Sequence, residues 1–378
     1  MKLFDVYPRF PVNIVKGKGN YVWDDKGQKY LDFYGGHAVI SIGHSHPHYI
    51  ERIENQLEQI GFYSNSVEMP IQDELAQKLG EISGYENYHL FLVNSGAEAI
   101  ENAIKLASFG NDRKKVIAFE DAFHGRTSAA VQLTDNPRII APLNRGIEVV
   151  RIPLNDEEAL IEAMDEDVAA VIVEGIQGIG GMEEPTAEFL KEIQNQCKQH
   201  GSTFILDEIQ SGYGRTGEFF AHQYHPGIRP DLITVAKGMG NGFPVGGVLI
   251  APHFEASYGL LGTTFGGNQL ACAASLAVLE VYQKENILEK VKKNGELLIN
   301  QLKEIPSVLR VRGRGLMIAL DFEHPIQELR QKLMKEHYIF TGSAKDARTM
   351  RLLPPLTIGS SEITQFITTF AKATEQKS

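Results

Sequence analysis

A chain of 378 residues, 43% hydrophobic and 22% charged, has the composition of a soluble globular protein and the length for one large and one smaller domain. Its formal net charge of −11 argues against nucleic acid or an anionic membrane as the main partner. The two cysteines, Cys197 and Cys272, lack CxxC or CxxH spacing and argue against a disulfide framework or a structural zinc site. The N-terminus MKLFDVYPRF has no signal-peptide core and no apolar run is long enough to span a bilayer, so the cytoplasm is the expected compartment. From Val12 to Phe33 polar and apolar residues alternate around Gly17, Gly19 and Gly27, the pattern of short antiparallel strands and tight turns. A helix is expected after Pro47. From Pro70 to about Ala251 helical patterns alternate with apolar runs at His89–Val93, Val116–Phe119, Glu148–Ile152, Ala169–Val173, Thr203–Leu206, Leu232–Ala236 and Gly247–Ile250. This predicts an α/β fold whose mostly parallel sheet carries helices on both faces. Asn268–Lys293 reads as one long helix or two. Strands at Val308–Val311, Leu316–Phe322 and Met350–Leu353 follow, with helices near Pro325–Glu336 and from Ser361. The expected division is 1–60 and 271–378 for a smaller α+β domain built from both termini, and 61–270 for the large domain.

The stretch Ser202–Lys237 carries the strongest chemical signal. Thr203–Leu206 delivers a carboxylate at Asp207, and about thirty residues later Leu232–Ala236 delivers Lys237. An acid after a strand often caps a helix, and a lysine after a strand is usually a solvated loop residue. Together, at the carboxyl ends of buried strands, they are what pyridoxal phosphate chemistry requires. The lysine forms the Schiff base, and the acid keeps the pyridine nitrogen protonated. Upstream, Ser95, Gly96 and Ala97 stand where a strand enters a helix and would offer backbone N–H groups to a phosphate. Ser95 and Glu98 also form a ready capping box. Phe123 could stack on a cofactor ring, although a core phenylalanine is the commoner meaning of such a residue. His124 reads as structural.

These segments resemble those of the class III aminotransferases, a branch of the fold-type-I pyridoxal phosphate enzymes. The resemblance runs from LDFYGGHAVISIGHSHP near the N-terminus, through FHGRT, DEIQSGYGRTG and VAKG, to MRLLPPLTI near the C-terminus, and is greatest to the acetylornithine aminotransferases. It implies transamination in arginine biosynthesis, with pyridoxal 5′-phosphate on Lys237. The implied cofactor residues are Ser95, Gly96, Ala97, Phe123, Asp207, Glu208, Ile209, Gln210, Lys237 and Thr264. Gln210 would bond the phenolic oxygen. Thr264, in GTTFGGN, would reach a phosphate in the partner subunit, so a homodimer with shared sites is expected.

The implied substrate residues are Arg126, Thr263, Arg351, Glu174 and His37. Arg126 and Arg351 would grip the carboxylates of the amine donor and of 2-oxoglutarate through paired hydrogen bonds. Arg310, Arg312 and Arg314 read as surface charges. Two places depart from the family pattern. In VEGIQGIGG, Gly175 stands for a proline and Ile179 for a glutamate that gates the second arginine. His37 stands where acetylornithine-type sequences carry an aliphatic residue. Acetyl- or succinylornithine is the expected donor. Ornithine or 4-aminobutyrate transamination, an aminomutase and an inactive cofactor-binding scaffold remain as alternatives.

Overall fold

The computed structural model describes residues 1–375. Three runs set its centre: Lys115–Phe119, Val168–Glu174 and Thr203–Asp207, in which every residue is buried. A strand covered on both faces has no solvent side to mark with polar residues, so it reads as an unbroken β-branched and apolar stretch. They belong to a seven-stranded sheet in the order His89–Val93, Gly246–Ile250, Leu232–Val235, Thr203–Asp207, Val168–Glu174, Lys115–Phe119, Glu148–Ile152. Only Gly246–Ile250 runs against its neighbours; every other adjacent pair is parallel. The fold is α/β, as the alternating pattern predicts.

Successive residues of one strand feed opposite cores, as the two-residue period requires. Ala170 and Ile172 join Ile100, Ala103 and Ala107 of the helix Gly96–Asn111. Val171 and Val173 join Phe189, Leu190 and Ile193 of the helix Ala187–His200. Each large side chain buried this way contributes about 1.5–3 kcal/mol. The two layers fix the sheet edge on which the carboxyl ends of six strands open together, the usual ligand edge of such sheets.

Two smaller sheets use the chain ends. In the first, Ile14–Lys18, Tyr21–Asp24 and Lys29–Asp32 pair antiparallel, and Ile339–Phe340 adds in parallel to Lys29–Asp32. The second runs Arg310–Arg314, Met317–Asp321, Thr349–Leu352, Gly342–Ser343, all antiparallel. The strand expected at Val308–Val311 lies two residues later, because its register is set by pairing with Met317–Asp321 across a turn at Gly315 (φ 54°). The segment after Asn268 is two helices, Gln269–Glu285 and Ile287–Lys303, divided by Asn286 at φ 52°. Asparagine enters that left-handed conformation more readily than most residues and so ends the first helix. Arg312 corrects the surface reading: it is largely buried and pairs with Glu183 at 2.6 Å and with Asp321. Cys197 and Cys272 are buried, free and helical. Among the described residues no helix is long and apolar enough to cross a membrane.

Candidate active site

Asp207 ends its strand level with Glu174 on one neighbour and Thr234 on the other. No helix follows it, so it caps none. Its Oδ1 accepts from the Ile209 N–H at 3.0 Å and the Thr234 hydroxyl at 3.4 Å, while Oδ2 meets His124 Nδ1 at 2.7 Å. His124 is buried, and its Nε2 has no hydrogen-bond partner among the described residues. Glu174 is also buried; one oxygen accepts from Phe123 N–H and the other from Gly178 N–H, each at 2.9 Å. Burial pushes its carboxyl well above the ordinary carboxylate range; His124 and the two N–H groups oppose that, and Asp207 adds to it.

Lys237 directly follows Ala236 at the end of Leu232–Val235, with a positive φ of 43° that few non-glycine residues adopt. Its amine makes no hydrogen bond or ion pair among the described residues. Burial lowers its pKa to about 8, opposed by Asp207 and Glu174 and aided by Arg351. An unpartnered amine poised near neutrality suits a nucleophile and a base.

Ser95 caps the helix Gly96–Asn111, its hydroxyl accepting from Glu98 N–H at 3.2 Å. The return bond goes one residue further back than a capping box predicts: Glu98 accepts from the backbone and side chain of Asn94, at 2.7 and 2.9 Å. The backbone N–H groups of Ser95, Gly96 and Ala97 thus have no partner among the described residues, at the positive end of a 16-residue helix. A Cβ on Gly96 would meet the Ile209 side chain at 2.9 Å.

These groups line one cavity of about 410 Å³, together with Phe123, Arg126, Ile209, Gln210 and Val39. Arg126 is exposed at its rim and makes no side-chain bond among the described residues. Gln210 holds a bridge: its amide donates to the His37 carbonyl at 3.2 Å and accepts from Arg351 at 3.4 Å. Arg351, on Thr349–Leu352, is buried behind it and also donates to the carbonyls of Ser343 (2.6 Å) and Gly178 (3.1 Å). No carboxylate lies within ion-pair distance of Arg351 among the described residues, and desolvation holds its pKa down at about 10. A cavity of about 860 Å³ opens at the opposite edge of the sheet, with Asp231 and His253 3.6 Å apart. Its one lysine, Lys198, is exposed on the helix Ala187–His200, and no helix N-terminus opens into it, so we assign the chemistry to the smaller one.

Four expected residues stand elsewhere. The Glu208 carboxylate turns away from the cavity to Ser211, Ala221 N–H and His222, and His222 in turn bonds Tyr85. A Cβ on Gly175 would press on that carboxylate at 2.8 Å. Thr263 shapes its own loop, accepting from Gly266 N–H at 3.0 Å and from Asn94 at 3.4 Å. Thr264 is exposed and outside the cavity of its own chain. His37 is exposed and does not line the cavity, which it joins only through its carbonyl on Gln210; it stands in a turn whose four residues Gly35, Gly36, His37 and Ala38 all have positive φ (54°, 56°, 67° and 66°). A left-handed turn costs about 1–2 kcal/mol at each non-glycine position. It persists because Asp32 accepts from the N–H groups of Tyr34 and Gly35, at 2.9 and 2.8 Å.

Residues 5–374 match the family model for aminotransferase class-III. The chain belongs to the class III aminotransferases. Among its relatives, the acetylornithine aminotransferase of Bacillus subtilis is 39% identical over 98% of this chain and 97% of its own length. The crystal structure of acetylornithine aminotransferase from Elizabethkingia anophelis superposes with a TM-score of 0.85 at 32% identity, covering 97% of this chain and 94% of that one. The ornithine aminotransferase of Toxoplasma gondii gives a TM-score of 0.89 at 30% identity, covering 97% and 90%. Sequence reasoning about this aminotransferase missed the His124–Asp207 contact and the Gly178 and Ser343 carbonyls on Arg351. The histidine sits beside Phe123 in a recognisable motif, but a partner 83 residues away leaves no local mark.

Proposed function

We propose that this aminotransferase binds pyridoxal 5′-phosphate in the 410 Å³ cavity and moves the terminal amino group of N-acetyl- or N-succinylornithine to 2-oxoglutarate. The products are the N-acyl glutamate semialdehyde and glutamate. The observation that carries the reading is the convergence on one cavity of a free amide cradle, an unpartnered lysine and a carboxylate held by a buried histidine. Three free N–H groups at a helix N-terminus suit a phosphate, and Gly96 has no side chain to fill the space. Ser95, Gly96 and Ala97 would hold the phosphate, Phe123 and Ile209 the ring, Asp207 the ring nitrogen and Gln210 the phenolic oxygen. When bound, the cofactor supplies an aldehyde to carry the amino group and a ring that withdraws electrons. Lys237 Nζ anchors it, then takes the proton from the carbon bearing the donor's amine and returns it within the same half-reaction. Asp207, oriented by His124, keeps the ring nitrogen protonated. Glu174 fixes the backbone of Phe123 and Gly178 around the reacting atoms.

The donor follows from charge. Arg126 and Arg351 are the standing cations at the substrate end of the site, residue 179 is not an acid, and like charges in a half-dry cleft repel. Free ornithine would add an α-ammonium to them; acylation removes that charge, and a succinyl group adds a carboxylate for an arginine. The relative from Bacillus subtilis, 39% identical over nearly the whole chain, is an acetylornithine aminotransferase, which supports the choice. The catalytic unit in this reading is a homodimer, with Thr264 meeting the phosphate of the partner subunit. Measuring kcat/KM for acetylornithine, succinylornithine, ornithine and 4-aminobutyrate tests it. Both acylated donors are expected to exceed the free amines; ornithine or 4-aminobutyrate as best donor overturns the acyl-ornithine assignment.

A further inference from the structure

His37 is held by more than its position requires. The Tyr34 hydroxyl meets His37 Nε2, and this phenol has no other partner among the described residues. With Nε2 as its one partner, the phenol satisfies its proton by donating it there. Desolvation, with Arg351 and Lys237 nearby, lowers the imidazole pKa to about 4 and keeps the ring neutral. A neutral imidazole whose Nε2 accepts carries its proton on Nδ1. That Nδ1 has no partner among the described residues. The backbone is pinned as well: the His37 carbonyl accepts from Gln210, which lines the cavity, as does Val39 two residues on.

A neutral N–H beside the Arg351 guanidinium is poorly matched to a free ammonium, which offers no acceptor and adds a second positive charge. It is well matched to an amide carbonyl, whose oxygen accepts and whose nitrogen carries no charge. We propose that His37 donates from Nδ1 to the acyl oxygen of the donor, and that this bond makes His37 a determinant of selectivity for substrates with an acylated α-nitrogen. The proposal rests on the acyl-ornithine reading and assigns the recognition to His37, with Tyr34 as the positioning residue that sets the tautomer.

Two variants separate the hydrogen bond from the backbone. Glycine adopts the left-handed conformation without strain and has no donor; asparagine tolerates it and offers an amide N–H close to where Nδ1 stands. His37→Gly is expected to lower the ratio of kcat/KM for acetylornithine over ornithine about tenfold, the effect of one lost hydrogen bond, while His37→Asn keeps most of it. N-acetylnorvaline, which lacks the reacting amine, should bind about tenfold more weakly to His37→Gly than to the wild-type protein by calorimetry. Binding of norvaline should be unchanged, and both variants should keep the cofactor absorbance. A ratio and an N-acetylnorvaline affinity within twofold of wild type in His37→Gly overturn the proposal, as does an equal loss in His37→Asn. If the wild-type protein prefers free ornithine, the acyl-ornithine reading fails, and the norvaline pair still decides whether His37 Nδ1 recognises an acyl oxygen.

Discussion

At the scale of single residues, the site depends on what burial does to Lys237. An ordinary lysine amine is almost wholly charged at neutral pH. With a pKa of about 8, about a tenth of the Lys237 amine is neutral at pH 7. Only the neutral form attacks an aldehyde, so the apoprotein is expected to take up pyridoxal phosphate at a rate that rises with pH and levels off above about 8. A midpoint near that of a solvated lysine would contradict the burial argument. Borohydride should then leave the cofactor on the peptide that contains Lys237, and label on another lysine would refute the assignment. Asp207→Asn is expected to retain part of the cofactor affinity and to lower turnover by orders of magnitude, because a neutral amide does not hold a proton on the ring nitrogen. Unchanged turnover in that variant, followed by glutamate formation, would reduce Asp207 to a structural role. Both residues were legible in the sequence because each ends a buried strand. His124 was legible only as a motif member; its ring reaches Asp207 by a route that only the sheet creates.

Elements were legible in proportion to how much of their own sequence specifies them. The seven central strands fall within a residue or so of the apolar runs, and for the five inner ones two-sided burial leaves a continuous signal. Ile339–Phe340 and Gly342–Ser343 left none: two residues each, they are strands only through their partners. The gap between Val168–Glu174 and the helix Ala187–His200 was readable as a motif but not as geometry. Gly178 lies in it, and a Cβ there would meet the Gln210 amide oxygen at 2.0 Å. Gly178→Ala is therefore expected to push the Gln210 side chain off both Arg351 and His37 while the sheet stays intact. Steady-state kinetics should show kcat/KM for 2-oxoglutarate reduced about tenfold, the order of one or two lost hydrogen bonds, with circular dichroism unchanged. Wild-type kinetics would mean that the bridge has no part in substrate binding.

At the scale of the whole molecule, the large exposed side chains Phe62, Tyr63, Val67, Tyr258 and Phe265 gather in segments flanking the Thr264 loop. Light scattering with size-exclusion chromatography is expected to give a dimer, and Thr264→Ala to weaken cofactor retention in it; a fully active monomer contradicts the shared site. The parallel pairing of Lys29–Asp32 with Ile339–Phe340 has a bearing on how the chain is made. The first three strands leave the ribosome early, yet the strand that covers their open edge is translated about 300 residues later. At usual synthesis rates that is about 15–60 s during which a bare edge is available to any passing strand. Prematurely terminated chains that stop short of Ile339 never cover it. They should accumulate as aggregates or chaperone clients in the cell, while the full-length protein stays dispersed.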